Sequence, residues 1–356
     1  MLCKKAIEKA GAFDRRTSPV KDEAVGTGYF KLVEYKPKDR IISVRNEDHW
    51  EGKPIIETYL FKYIPDDGAR TITLLKGEIA GMKGLDDYMW LRDVASKGII
   101  VEPTGPADLK VMYLNLKVKP LDDKRVRQAI AYCTSQESII EMQGAEISKA
   151  ATSPVPSGMW GHIDAGWEKY KRDPEKAKKL LAEAGYPNGV TLKFYMSEGP
   201  WYLHKMIVHQ NELKECGINL DMIKIDHTAY RKKIDEGNNP ISMWGTRLPL
   251  ATYWLRNFYH SDSIVGTPKA QNNFSFYSNP EVDKLIEMAE TTFDKKVQLE
   301  AMAKAQRLIV EDLPVVPSVE TFTPVVRNKW FDPGYNVKNN FQWNWDLWHK
   351  TRILEH

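Results

Sequence analysis

Between Val111 and Ile130 the chain passes from a strand pattern, through a hard stop, into a helix pattern, and few folds accept that grammar. Met112, Leu114 and Leu116 alternate along it as a half-buried strand requires. Pro120 breaks the run, and Asp122 or Asp123 offers a carboxylate to cap the helix that follows. On that helix Val126, Ala129, Ile130 and Cys133 share one face, while Lys124, Arg125, Arg127 and Gln128 point away from it. The same punctuation recurs downstream. Asp173 and Pro174 open a helix that Gly185 closes, and Asn279 with Pro280 repeats the device. Between them Val190–Tyr195 and Ile218–Ile225 read as strands around a helix from about His204 to Cys216, with Gly217 as its stop. Strands alternating with capped helices build α/β layers, so the expected fold class is α/β.

A chain of 356 residues exceeds one ordinary core, which predicts two lobes. Its 51 basic and 48 acidic residues are interspersed, leaving no stripe for a polyanion, so no nucleic-acid partner is expected. No apolar run approaches the roughly 20 residues of a membrane span, and no membrane insertion by this chain is expected. The three cysteines lack metal-type spacing; Cys133 and Cys216, on apolar helix faces, are expected as buried free thiols. Residues 27–64 read as strands, and Asp66 or Asp67 caps a short helix from Ala69 to Lys76 that Gly77 ends.

Catalytic patterns are lacking. Gly26-Thr27-Gly28 has neither the third glycine nor the helix of a dinucleotide loop, so a tight strand turn is the better reading. His204 and His209 lie about 140° apart around a helix and do not share a face for metal; both are expected at the surface. No Gly-x-Ser-x-Gly elbow occurs. Accordingly no enzyme activity, cofactor or metal is expected. Trp160, Trp201, Trp244, Tyr253, Trp254, Phe258 and Tyr259 are more suggestive, because large rings serve either as core packing or as the walls of a ligand cleft.

The wording of several segments resembles one family. These are the 111–130 stretch, Val25 to Leu32, Arg45-Asn46 with Trp50, Asp173 to Ala177 with Leu180 to Pro187, Tyr277 to Asp283, and Glu311 to Pro317. In this order they resemble segments of the family 5 extracellular solute-binding proteins, the peptide, nickel and oligosaccharide receptors of ABC importers. The resemblance implies a two-lobed periplasmic-binding-protein (Venus-flytrap) architecture: a partial lobe I in residues 1–112, lobe II in 113–320, and a return to lobe I in 321–356. In family members the start of this chain falls inside lobe I, so lobe I is expected to be incomplete. Phe322–Val326 is expected to return as a strand in one sheet with strands of Gly28–Tyr63. The implied role is capture of a small solute (an oligopeptide, oligosaccharide or acidic solute) between the lobes and delivery to a membrane ABC permease. A monomer, periplasmic or extracellular, is expected, with hinge strands near Tyr113–Lys117 and Val319–Thr323. The competing expectation is a truncated remnant that binds no solute and keeps only a structural or interaction role.

One loop, Met243 to Leu250, follows a strand-like run and is rich in breakers, which places it at a strand end where open α/β sheets bind ligands. In peptide-binding relatives the matching loop carries a tryptophan and, three residues later, an aspartate that pairs with the peptide ammonium. Trp244 fits that pattern, but Arg247 stands at the position of the aspartate. A guanidinium accepts no hydrogen bond and repels an amine, yet grips a carboxylate or phosphate, or stacks on a ring. A solvated or internally paired arginine is the plain alternative. The expected ligand contacts are therefore stacking by Trp244 and by Tyr253 or Trp254, polar contacts from Thr246 and Arg247, and Tyr113 with Asn115 on the hinge side of the cleft.

Overall fold

The computed structural model describes residues 26–245, 248, 250–269, 271–337 and 349–355. Its chain divides into two compact units. One takes in the chain up to Leu85, Met89–Thr104 and the residues from Pro324 onward; the other takes in Asp86–Tyr88 and Gly105–Thr323.

In the first unit β1 (Phe30–Lys36), β2 (Arg40–Arg45) and β3 (Thr58–Lys62) form an antiparallel three-stranded sheet, with Leu32 opposite Ser43 and Ser43 opposite Tyr59. The Asp66 carboxylate accepts from the Ala69 N–H and starts α1 (Asp67–Leu75). Gly77, at φ +72°, supplies the left-handed turn that ends it. β4 (Gly81–Lys83) and α2 (Tyr88–Ser96) follow, and Leu74, Met82, Val94, Ile99 and Val326 form a small core of their own.

β5 (Ile100–Leu114) carries the chain into the second unit. Asp123, one of the two expected caps, accepts from Arg125 N–H to open α3 (Lys124–Cys133), and Ser135 opens α4 (Gln136–Gln143). β6 (Ser148–Lys149) and α5 (Pro174–Glu183), capped by Asp173, lead to β7 (Val190–Ser197). Next comes the parallel unit: β7, α6 (Pro200–Glu215) and β8 (Ile218–Ile225), paired from Val190–Ile218 to Ser197–Ile225. α7 (His227–Asp235), β9 (Ile241–Trp244), α8 (Ala251–Tyr259), α9 (Pro280–Thr291), α10 (Lys295–Asp312) and β10 (Val315–Arg327) complete the unit's order. The short strands β11 (Phe331–Asp332) and β12 (Arg352–Ile353) pair with each other. One continuous core runs through the second unit, from Val126, Ala129 and Ile130 to Leu181, Phe194, Met206, Leu255 and Ile309. At roughly 1.5–3 kcal/mol per large buried side chain, that core is what holds the α/β layer together. Among the described residues no helix is long and apolar enough to cross a membrane.

Several expectations change on the structure. β10 does not join β1–β3: Val325–Arg327 pairs with β4 and Glu320–Thr321 with β6, in a sheet ordered β4-β10-β5-β9. Nearly every β10 residue is buried, which suits a strand flanked on both edges rather than the half-exposed meander. Cys133 and Cys216 are not free thiols but a disulfide, Cα–Cα 6.3 Å, joining the ends of α3 and α6. Arg127 does not point away from the core. Its buried guanidinium donates to the carbonyls of Leu121, Asp122, Asp312 and Leu313, satisfying groups left over where α10 ends. His209 is likewise buried, its ring held between Glu212 Oε2 at 3.1 Å and Ser318 Oγ at 2.9 Å. Finally, α6 begins at Pro200 rather than near His204, because Pro200 sits at its first helical position.

Candidate functional site

Three strands of the second unit end close together. β7 and β8 are parallel and finish at Ser197 and Ile225, and each is followed within a few residues by a helix. The Asn239 side chain ties the approach to β9 onto β7, its Oδ1 accepting from Tyr195 N–H at 2.8 Å and its Nδ2 donating to Tyr195 O at 3.0 Å. β9 pairs antiparallel with β5, Trp244 lying opposite Val111. The Tyr202 hydroxyl then donates to Gly245 O at 3.1 Å, so the end of β9 sits against the start of α6.

Each of these ends delivers a ring. Trp201 and Tyr202 stand in the first turn of α6, His227 is the first residue of α7, and Trp244 is the last of β9. His227 and Trp244 stack with centroids 5.4 Å apart and planes 18° apart; Tyr202 lies 5.8 Å from Trp244 and 6.0 Å from His227, also nearly parallel. Trp201 meets His227 edge-on at 6.1 Å and is 44% exposed. A Cβ at Gly199 would lie 2.7 Å from the Trp201 ring, so the glycine lets that ring fold back over the turn. Arg231, one turn along α7, covers Trp244 at 5.2 Å and Phe274 at 5.0 Å, and is itself fixed by Asp235 and by Asn272 Oδ1. Trp244 is thus held on several sides yet remains only half-buried, the condition of a ring pre-set for a partner.

Beneath this wall lies an ion pair. Lys110 Nζ donates to Asp108 Oδ2 at 2.6 Å, both side chains being about nine-tenths buried, and the ammonium sits 5.1 Å over the Tyr202 ring. Burial pushes the Lys110 ammonium down, but the charge of Asp108 and its hydrogen bond outweigh that, so the net shift is upward and the ammonium keeps its charge. Burial raises the Tyr202 phenol, which therefore remains a donor. Gly245 is required here: a Cβ would fall 2.5 Å from Lys110 Cδ and 2.8 Å from Leu109 O. Ser197 Oγ meets His227 Nδ1 at 3.1 Å but is fully buried behind the ring, and among the described residues no group of three or more metal-ligating side chains occurs.

The expected contact residues separate. Trp244 lies in the wall. Tyr253, on α8, is 41% exposed. Trp254, by contrast, is in the core, its indole N–H donating to Pro154 O at 2.8 Å, because the apolar stripe of α8 turns it inward with Phe258 and Tyr259. Tyr113 is also a core residue, packed edge-on against Phe274 at 5.3 Å. Asn115 is buried and its side chain is spent on backbone groups, donating to Gly237 O and Asn239 O and accepting from Lys117 N–H. All three are buried in this structure. Thr246 and Arg247 lie outside the described residues. His227 and Tyr202 were missed from the sequence. The available signal was their position, an aromatic residue in the first helical turn after a strand.

Comparison with known proteins gives a consistent picture. The sequence profile of the bacterial extracellular solute-binding proteins, family 5 Middle, matches residues 3–265. The chain is similar to the dipeptide-binding protein of Escherichia coli K12, 29% identical over 321 residues, covering 85% of this chain and 57% of that protein. It is also similar to heme-binding protein A of Haemophilus influenzae, 28% identical over 312 residues, covering 82% and 54%. The chain therefore spans little more than half the length of these curated relatives. Among solved structures, the binding protein MoaA of A. tumefaciens R10 in complex with mannopinic acid superposes with TM-score 0.87 at 30% identity, covering 99% of this chain and 70% of that one. The DppA binding protein of Helicobacter pylori in complex with the peptide STSA shares the fold, with TM-score 0.82 at 22% identity, covering 100% and 68%.

Proposed function

We propose that this chain, which belongs to the bacterial extracellular solute-binding proteins of family 5, binds a small solute against the ring wall of its second unit and serves an ABC importer as its substrate-binding component. The solute would be an oligopeptide, an oligosaccharide or an acidic solute, handed to a membrane permease. The observation that carries this reading is the convergence of Trp201, His227 and Trp244 at three neighbouring strand ends, two of the rings locked in near-parallel contact. Open α/β sheets bind ligands at the carboxyl ends of their strands, and a rigid half-buried ring loses little freedom when a solute lies on it. Binding rather than catalysis is favoured because the hydroxyl that meets His227, that of Ser197, is fully buried and does not face a solute on the wall. The buried Cys133–Cys216 disulfide supports a periplasmic or extracellular location, since such bonds persist in oxidising compartments. Relatives named for dipeptides and heme, and a solved structure in complex with mannopinic acid, fit a family in which the solute varies.

Native mass spectrometry of the purified chain, with thermal shifts against dipeptides, disaccharides and dicarboxylic acids, tests the proposal. A co-purified small molecule, or one class that raises Tm and loses its effect in Trp244→Ala, is the expected result. A chain that carries no solute and responds to no class would overturn it.

A further inference from the structure

His227 meets the wall with one ring nitrogen already engaged. Its Nδ1 lies 3.1 Å from Ser197 Oγ, and Ser197 is fully buried. The same Oγ accepts from the Gly199 N–H at 3.1 Å. If Nδ1 carried the proton, the serine oxygen would accept twice and its own hydrogen would lack an acceptor in a buried place, which is costly. With the hydroxyl hydrogen directed to Nδ1, every group is satisfied, and the neutral ring must carry its proton on Nε2. That nitrogen makes no hydrogen bond within the described structure, and the ring bearing it is half-buried among Trp201, Tyr202 and Trp244.

We propose that His227 is a specificity-determining residue whose Nε2–H donates to an acceptor oxygen of a solute lying on Trp244, with Ser197 as the positioning residue that selects the tautomer. The assignment rests on the solute-binding reading above and deepens it. The ring wall by itself favours any flat or apolar group, whereas a fixed donor within it selects a solute presenting an oxygen at one place. The oxygen can belong to a carboxylate, a carbonyl or a sugar hydroxyl, which share the acceptor chemistry. Asp226 keeps the ring in place by capping α7 through the Thr228 and Ala229 N–H groups.

Isothermal titration of the wild-type chain, His227→Phe and Ser197→Ala with three probes tests this: the dipeptide Ala-Phe, its C-terminal amide, and cellobiose. His227→Phe keeps a stacked ring but removes both the Nε2–H donor and the Nδ1 acceptor of the Ser197 hydroxyl, so the double variant Ser197→Ala/His227→Phe is measured beside it. Both should weaken the probe that binds the wild type by about tenfold or more, and the double variant should recover part of the Tm that the single one loses. A larger loss for Ala-Phe than for its amide identifies a carboxylate, an equal loss a carbonyl, and a loss confined to cellobiose a hydroxyl. Ser197→Ala should give a smaller loss, and nitrogen-15 NMR of the imidazole, which needs no ligand, should show Nε2–H in the wild type and a mixture of tautomers in Ser197→Ala. Unchanged affinity in His227→Phe, or an Nδ1–H ring in the wild type, overturns the assignment and leaves solute binding intact. A wild-type chain that binds none of the probes counts against the solute-binding reading itself, and the assignment falls with it.

Discussion

Reducing the Cys133–Cys216 bond is the perturbation with the largest calculable effect. The bond joins residues separated by 83 positions, and the chain-entropy relation for a loop of that length gives about 4.5 kcal/mol of stabilisation. Both cysteines are buried, Cys133 at the end of α3 and Cys216 just after α6, so the native packing changes little when the bond opens and the loss is felt chiefly in the unfolded chain. For a unit of this size each kcal/mol moves Tm by roughly 2–4 °C, so the loss corresponds to about 9–18 °C. Differential scanning calorimetry with and without a phosphine reductant measures it, and a Cys133→Ala/Cys216→Ala variant should melt near the reduced wild type. Alkylation of the denatured, unreduced chain should label one of its three cysteines, Cys3. Three labels, or equal melting temperatures with and without reductant, would refute the reasoning.

Other outcomes follow from single residues. Gly245→Ala places a methyl 2.5 Å from Lys110 Cδ and should cost about 1–3 kcal/mol in urea unfolding, with weakened solute binding because Trp244 is the preceding residue. Arg127→Met leaves four carbonyls without their donor and should destabilise by about 2 kcal/mol or more, measured the same way. Burial pushes the Glu212 carboxyl up, but bonds from His209, Ser138 and the Ser135 N–H pull it below its ordinary 4.5 overall. A carboxyl depressed in the folded state stabilises the protein above that value and loses the contribution as pH falls below it. Glu212→Gln should therefore flatten the fall of Tm with acid below about pH 4.5, and an unaltered acid slope would contradict this.

Much of the fold was legible because its boundaries are written locally. Asp66, Asp123, Asp173 and Asn279 each cap the helix expected of them, and Gly77, Gly185 and Gly217 take the left-handed turns expected at helix ends. What could not be read depends on pairing across long stretches of chain. Arg127 and His209 were expected outside because their residue types are usually exposed, yet each is drawn inward by partners about a hundred or more positions away, Asp312 with Leu313 and Ser318. The disulfide was hidden for the same reason. At the site, a ring's position on the chain did not say which way it turns. Trp244 and Trp254 looked alike in sequence, and only the packing of α8 sends Trp254 into the core while Trp244 stays at the wall.

The placement of β10 sets a timetable for biosynthesis. β4, an early element, finds its partner only when Val325, Val326 and Arg327 have left the ribosome, since these residues pair with Gly81–Lys83. At roughly 5–20 residues per second, the intervening chain takes on the order of 10–50 s to make. During that interval β4 presents an unsatisfied edge, the kind of feature that holdase chaperones shield and that invites mispairing when they are scarce. A nascent chain stalled before Pro324 can therefore assemble β7 and β8, whose partners are close in sequence, while β4 waits. Protease protection of ribosome-bound chains of increasing length should accordingly reach Val190–Ile225 well before it reaches Gly81–Lys83.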